Sequence, residues 1–144
     1  GHATNIEIKS QEFPLLLDVA KAYIEDSDKE ICLARIGNRR VGVAFVRMDK
    51  IDKCLVIGHL AVLPEFRHNN VSNQLMKYLC KLAWLEEIPK LRIYVPSYKI
   101  DDLEDPWNIR DWLYKQGFKA TGVTHNDCKR YGKEYDTYQF ERVL

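Results

Sequence analysis

The chain has 144 residues, 46% of them hydrophobic, and a formal net charge of +1. That length supports one domain with a real core and is too short for two, and the near-neutral balance names no partner by bulk electrostatics. No run of about 18 apolar residues occurs, which excludes a transmembrane helix, and no charged-then-apolar leader is expected.

Gly1-His2 read as a tag remnant, which leaves residues 3–144 as the expected domain. Asn5 to Ile8 is a short predicted strand. Ser10 can cap a helix with Phe13, Leu16, Leu17, Ala20, Tyr23 and Ile24 at helical spacing, and Pro14 is tolerated in its first turn. Glu30–Ile36 and Val41–Met48 form two strands around the turn Gly37-Asn38-Arg39-Arg40. A second turn, Asp49–Lys53, leads into Cys54–Val62, which is apolar almost throughout and therefore a central strand.

Asn70 to Glu87 is the longest predicted helix, with Val71, Leu75, Tyr78, Leu79 and Leu82 as its apolar stripe and Pro89 beyond its end. Leu91–Val95 is the next strand. Asp105 and Pro106 suit the cap and first turn of another helix, and Gly117 suits its close. Phe118–Val123 and Tyr135–Val143 read as a final hairpin around the polar turn His125–Lys133. The order predicts a single α/β (α+β) domain: a mixed sheet of about seven strands flanked by about three to four helices.

Cys32, Cys54, Cys80 and Cys128 are far apart, and no Cys-x-x-Cys occurs, so buried free thiols in a reducing, cytoplasmic setting are expected. His125, Asp127 and Cys128 could grip a metal, but a polar hairpin turn is the simpler reading, and no metal is expected.

The most informative stretch runs from Leu60 to Met76: an apolar strand, a short polar turn and the start of an amphipathic helix. Unpaired backbone N–H groups at such a helix start, with Arg67 beside them, make an anion site suited to a phosphate. The turn Arg67-His68-Asn69-Asn70-Val71-Ser72 resembles the acetyl-CoA pyrophosphate loop of the GNAT superfamily of N-acetyltransferases, Arg/Gln-x-x-Gly-x-Gly/Ala. Both glycines are replaced. Asn70 tolerates a left-handed backbone better than most residues, and Ser72 is small and can donate a hydrogen bond. The alternative is an ordinary strand-to-helix turn capped by Asn69 or Asn70.

The element order is similar to that family over essentially the whole chain, with a shortened first helical region. Leu113-Tyr114-Lys115-Gln116-Gly117-Phe118 resembles its Phe/Leu-Tyr-x-x-x-Gly-Phe, and Asp136–Leu144 resembles its last strand. The resemblance implies that the backbone of Leu60, Ala61 and Val62 pairs with the pantetheine arm. It also implies that Arg67, His68, Asn69, Asn70, Val71 and Ser72 cradle the pyrophosphate. A family Asn near the cofactor corresponds to Trp107; either Asn108 next door substitutes after a small shift, or that contact is absent.

The resemblance further places the Tyr114 hydroxyl near the sulfur, as the acid for the departing thiolate; a tyrosine packed at the helix edge is the alternative. Tyr94 occupies a strand position where some relatives carry a base and could order a water that takes the proton, or it is a core aromatic. His59 has the better intrinsic pKa. By simple alternation, however, it shares parity with Ala61 and opposes Val56 and Gly58, which hold the family's base positions. Asp101, Asp102, Glu104 and Asp105 could attract a cationic amine or form a solvated loop, and Lys129, Arg130, Tyr131 and Lys133 are too few to indicate nucleic acid.

The expected function is acetyl-CoA-dependent N-acetylation of a primary amine, on a small molecule or a protein, by direct transfer in a ternary complex. The alternative is a GNAT-fold protein that has lost catalysis and serves in binding or structure. No membrane partner is expected, and a homodimer is compatible with the sequence.

Overall fold

The computed structural model describes residues 28–67, 70–101 and 108–144. The strand expected at Asn5–Ile8 and the helix expected after Ser10 lie outside the described residues, as do His68, Asn69, Asp102, Glu104, Asp105, Pro106 and Trp107. The elements in chain order are β1 (Lys29–Ile36), β2 (Arg39–Asp49), β3 (Cys54–Val62), a 3-10 turn (Pro64–Phe66), α1 (Val71–Leu85), β4 (Lys90–Pro96), α2 (Ser97–Ile100), α3 (Ile109–Lys115), β5 (Lys119–Arg130) and β6 (Lys133–Val143).

Among the described residues, six strands form one mixed sheet in the order β1-β2-β3-β4-β6-β5. Every neighbouring pair is antiparallel except β3 and β4, which run parallel with α1 as the crossover between them. α1 lies on one face because Val71, Leu75, Met76, Leu79 and Ala83 recur at helical spacing and are all buried. Tyr78, expected in that stripe, is half-exposed instead, and Met76 and Ala83 fill the core. Gly42 lets the helix approach: a Cβ there would meet Leu75 Cδ1 and Val71 Cγ1 at 3.0 Å each. Trp112 and Leu113 of α3 join the same core, with Ile57, Leu91, Ile93 and Phe140 from the sheet.

Several boundaries differ from the sequence expectation. The first hairpin turn is only Gly37-Asn38, since Ile36 pairs with Arg39, so Arg39 and Arg40 belong to β2. The last hairpin runs straight through His125–Lys133 and turns at Tyr131-Gly132, whose φ angles are 53° and 73°. Hydropathy hides the outer half of β5, His125–Arg130, because it is exposed on both faces, apart from the partly buried Cys128. It is an edge strand interrupted by two register irregularities, which blunt edge-to-edge pairing. α3 begins at Ile109 with Asn108 as its cap, rather than at Asp105: the Asn108 side chain accepts from the Asp111 N–H at 3.3 Å.

One charged cluster ties the sheet together on the face opposite α1. Arg92 of β4 has a side chain only 7% exposed. Its Nε donates to Glu141 of β6 at 2.9 Å, and its Nη1 donates to Asp52 of the β2–β3 turn at 2.7 Å and to the Tyr94 hydroxyl at 3.3 Å. Lys90 adds a 3.1 Å ion pair to Glu141. Burial alone would push the Glu141 carboxyl up; hydrogen bonds from Arg92, Lys90 and Thr121 outweigh it and hold the group below its usual range.

Arg92→Met should therefore cost about 3 kcal/mol in urea unfolding, because it leaves a largely buried carboxylate without its main partner and with only Lys90 and Thr121 beside it. Removing Arg92 and Glu141 together should cost less than removing Arg92 alone. Since the folded Glu141 titrates below the unfolded carboxyl at about pH 4.3, its contribution is complete above that pH and lost as pH falls further. Unfolding curves of Glu141→Gln from pH 7 to pH 3 should show a shallower acid loss than wild type.

Candidate active site

The parallel pairing of β3 with β4 covers only Cys54↔Lys90 to Ile57↔Ile93. Beyond that point β3 continues to Val62 and β4 to Pro96, but the two are no longer paired. The sheet is split there, and the backbone edge of β3 from Gly58 onward has no strand partner across the gap among the described residues. Gly58 and His59 are exposed, and Leu60 and Ala61 half-buried, in a strand otherwise buried from end to end. Leu60, Ala61 and Val62 thus line the place where an extended chain could pair with the open strand edge.

The split begins at a bulge. Val46 pairs with Ile57 but Phe45 pairs with His59, so Gly58 is one extra residue in β3. Partners in an antiparallel pair share a face. His59 therefore lies on the face of Phe45, and their rings meet edge-on with centroids 6.1 Å apart. Val56 pairs with Arg47 and lies on that same face. The expected opposition of His59 to Val56 is corrected: strict alternation fails across the bulge. Val56 also pairs with Arg92, so Tyr94, two residues further along β4, shares this face too.

Beyond β3 the chain passes through the 3-10 turn to Arg67, whose Nε donates to the Val62 carbonyl at 3.3 Å. Asn70 follows with φ 62° and ψ 19°, a left-handed conformation, immediately before α1. Its side chain makes no cap hydrogen bond to the helix backbone; its Oδ1 instead accepts from Asn73 Nδ2. The plain side-chain cap considered for Asn70 is therefore not what is built. No acidic residue occupies the first turn of α1, so its N–H groups and positive dipole end are available to an anion. Val71 is buried and can offer only its backbone, whereas Ser72 is half-buried at the helix start.

The two candidate tyrosines lie on opposite sides of the sheet. Tyr114 is half-exposed on α3, and its ring meets Phe140 edge-on at 6.1 Å, on the face that carries α1. Tyr94 is 38% exposed on the other face, with its hydroxyl oxygen accepting from Arg92. That bond leaves the Tyr94 O–H free to donate. His59 is held below its ordinary pKa, first by partial burial and then by the Lys99 ammonium of α2, so its imidazole is neutral at pH 7.

Asn108 is committed locally: besides capping α3, its Nδ2 donates to the Ile100 carbonyl at 3.3 Å. The Cys32, Cys54 and Cys80 thiols are pushed up by burial, Cys32 to about 12, the opposite of what a nucleophilic thiol needs. His125 Nδ1 lies 3.3 Å from Asp136 Oδ2, and among the described residues no three His, Cys, Asp or Glu side chains converge as a metal site. On the last hairpin Arg130 stacks over Tyr98 and Tyr131, at 4.7 and 4.9 Å, and Lys129 faces Glu134 at 3.9 Å. No helix among the described residues is long and apolar enough to cross a membrane.

Sequence reasoning passed over Arg92 and Asn73. Arg92 sits inside an apolar strand, and that misfit is a signal of burial with partners. Asn73 sits on a helix surface and carries no signal in one dimension.

Known structures share this architecture. A GNAT family acetyltransferase from Elizabethkingia anophelis with acetyl-CoA bound superposes with a TM-score of 0.72 at 20% identity, covering 99% of this chain and 95% of that one. A Bacillus subtilis acetyltransferase in complex with CoA gives 0.71 at 18% identity, over 97% and 95%. An IAA acetyltransferase from Bacillus cereus gives 0.70 at 14% identity, over 94% and 89%. No curated protein matches the sequence. Residues 4–100 match the sequence profile described as the acetyltransferase (GNAT) family, and with that match across most of its length the chain belongs to this family.

Proposed function

We propose that the protein is an acetyl-CoA-dependent N-acetyltransferase that transfers acetyl directly to a primary amine in a ternary complex. The observation that carries this reading is the split between β3 and β4, placed beside an acid-free helix N-terminus that is entered through the left-handed Asn70. An extended arm fits the unpaired strand edge and a pyrophosphate fits the helix start, the two ends of one molecule. CoA or acetyl-CoA bound to two of the structural neighbours is in keeping with this.

Acetyl-CoA supplies the acyl group as an activated thioester. Arg67 and the amides of Asn70, Val71 and Ser72 hold the phosphates, together with His68 and Asn69, which lie between them in the sequence. The backbone of Leu60–Val62 aligns the arm and polarises the carbonyl. His59, neutral and on the face of Tyr94, takes the proton from the amine as the C–N bond forms. Tyr94, its oxygen engaged by Arg92, donates its O–H toward the split or to a water there. From the other face Tyr114 protonates the sulfur as the C–S bond breaks. The raised thiol pKa values support direct transfer without an acyl-cysteine, and the free cysteines suit a cytoplasmic setting.

Acetyl-CoA at about 100 times Kd should stabilise the protein by about 2.7 kcal/mol in thermal melts, and Arg67→Ala should reduce the shift by removing a charge-assisted contact. Melts indifferent to millimolar acetyl-CoA would instead support a non-catalytic GNAT-fold protein. Tyr114→Phe should keep CoA affinity by calorimetry while slowing turnover by roughly 10²-fold; unchanged turnover would remove Tyr114 from the mechanism. The His59 limb of the kcat/KM profile should fall below about pH 6.5. Lys99→Ala should move that limb upward and His59→Gln should abolish it, and a profile identical in all three proteins would exclude His59 as the base.

A further inference from the structure

Asn70 stands where the family pattern has its first glycine, and it holds the left-handed conformation for which glycine is suited. Its side chain leads into a chain of hydrogen bonds. Asn70 Oδ1 accepts from Asn73 Nδ2. Asn73 Oδ1 in turn accepts from Trp112 Nε1 at 2.7 Å and from Gln116 Nε2 at 2.9 Å. Trp112 is buried in the core, and both donors belong to α3 or its C-cap, beside Tyr114. The amide of Asn73 is thus saturated at its oxygen by one helix and directed by its nitrogen at the loop.

We infer that Asn73 is a positioning residue that couples the phosphate loop to the helix bearing Tyr114, and that this relay replaces the missing glycine. A glycine adopts the left-handed turn without support. An asparagine pays a steric cost there, which a side-chain partner offsets and which glycine could not use, having no side chain to hold. The relay has a second consequence: the anion site and the candidate acid are referenced to each other through Asn73, rather than each separately to the sheet. This reading rests on the proposed binding of acetyl-CoA at the loop.

The test is a double-mutant cycle with Asn73→Ala and Asn70→Gly, read by calorimetry with acetyl-CoA and by thermal melts without it. Asn73→Ala alone should weaken acetyl-CoA binding roughly three- to tenfold, the worth of one or two hydrogen bonds. Alanine is the better helix former, so weaker binding would not come from a poorer α1. In the Asn70→Gly background the same Asn73→Ala change should cost about twofold or less, because glycine needs no relay. Asn70→Gly alone keeps the backbone amide and gives the reference affinity for that second arm of the cycle.

Wild-type affinity in Asn73→Ala, or an equal loss in both backgrounds, would overturn the inference. If wild type itself bound no acetyl-CoA, the proposed function would fail, while the melts would still decide the relay: a stability coupling between positions 70 and 73 supports it, and strict additivity overturns it.

Discussion

Everything at the site follows from where two parallel strands stop pairing. β3 and β4 hold each other from Cys54 and Lys90 to Ile57 and Ile93 and then part. Up to that point Arg92, chelated by Glu141 and Asp52, binds β4 to β6 and to the β2–β3 turn. Past it, the extra residue Gly58 twists β3 out of register with β2 and away from its parallel neighbour. A sheet interior normally leaves no backbone group without a partner. An interior strand with an open edge is therefore able to pair with an extended ligand, and the helix that follows it begins at that opening.

The split also places chemistry on two sides. Because the gap passes through the sheet, a group lying in it can be reached from both faces. His59 and Tyr94 lie on one face and Tyr114 on the helix-covered other. The proposed reaction takes a proton from one reactant and gives a proton to another, and a through-going slot would separate those two tasks without a crowded cluster of titratable groups. The sheet's far edge serves a different end: β5, bulged and exposed, resists pairing with other strands while its tip is stacked onto α2 through Arg130 and Tyr98.

Loss of the two family glycines has been met locally. The turn keeps its left-handed residue, and the amide that glycine lacks is drawn into contact with Asn73 and through it with α3. The approach of α1 to the sheet is secured elsewhere, by Gly42 under Val71 and Leu75. Close packing beneath the loop and conformational freedom within it are thus separate requirements, met by different residues.

Patterns in one dimension were enough for the elements whose periodicity reflects burial. The central strand Cys54–Val62, the long helix and its turn, and the helix carrying Tyr114 are legible because apolar spacing records which face is covered. Only the outer part of the last hairpin, His125–Arg130, reads as turn, because a strand open on both faces leaves no hydrophobic period. The face of His59 was misjudged because a bulge inserts one residue without any mark in composition. Arg92 and Asn73 matter through partners 49 and 39 residues away, and such pairings exist only once the sheet and helices have come together. The sequence alone determined which segments would be covered and which turn could receive an anion. Only the tertiary structure decided which polar groups meet, because burial is a property of each residue whereas a hydrogen bond is a property of two.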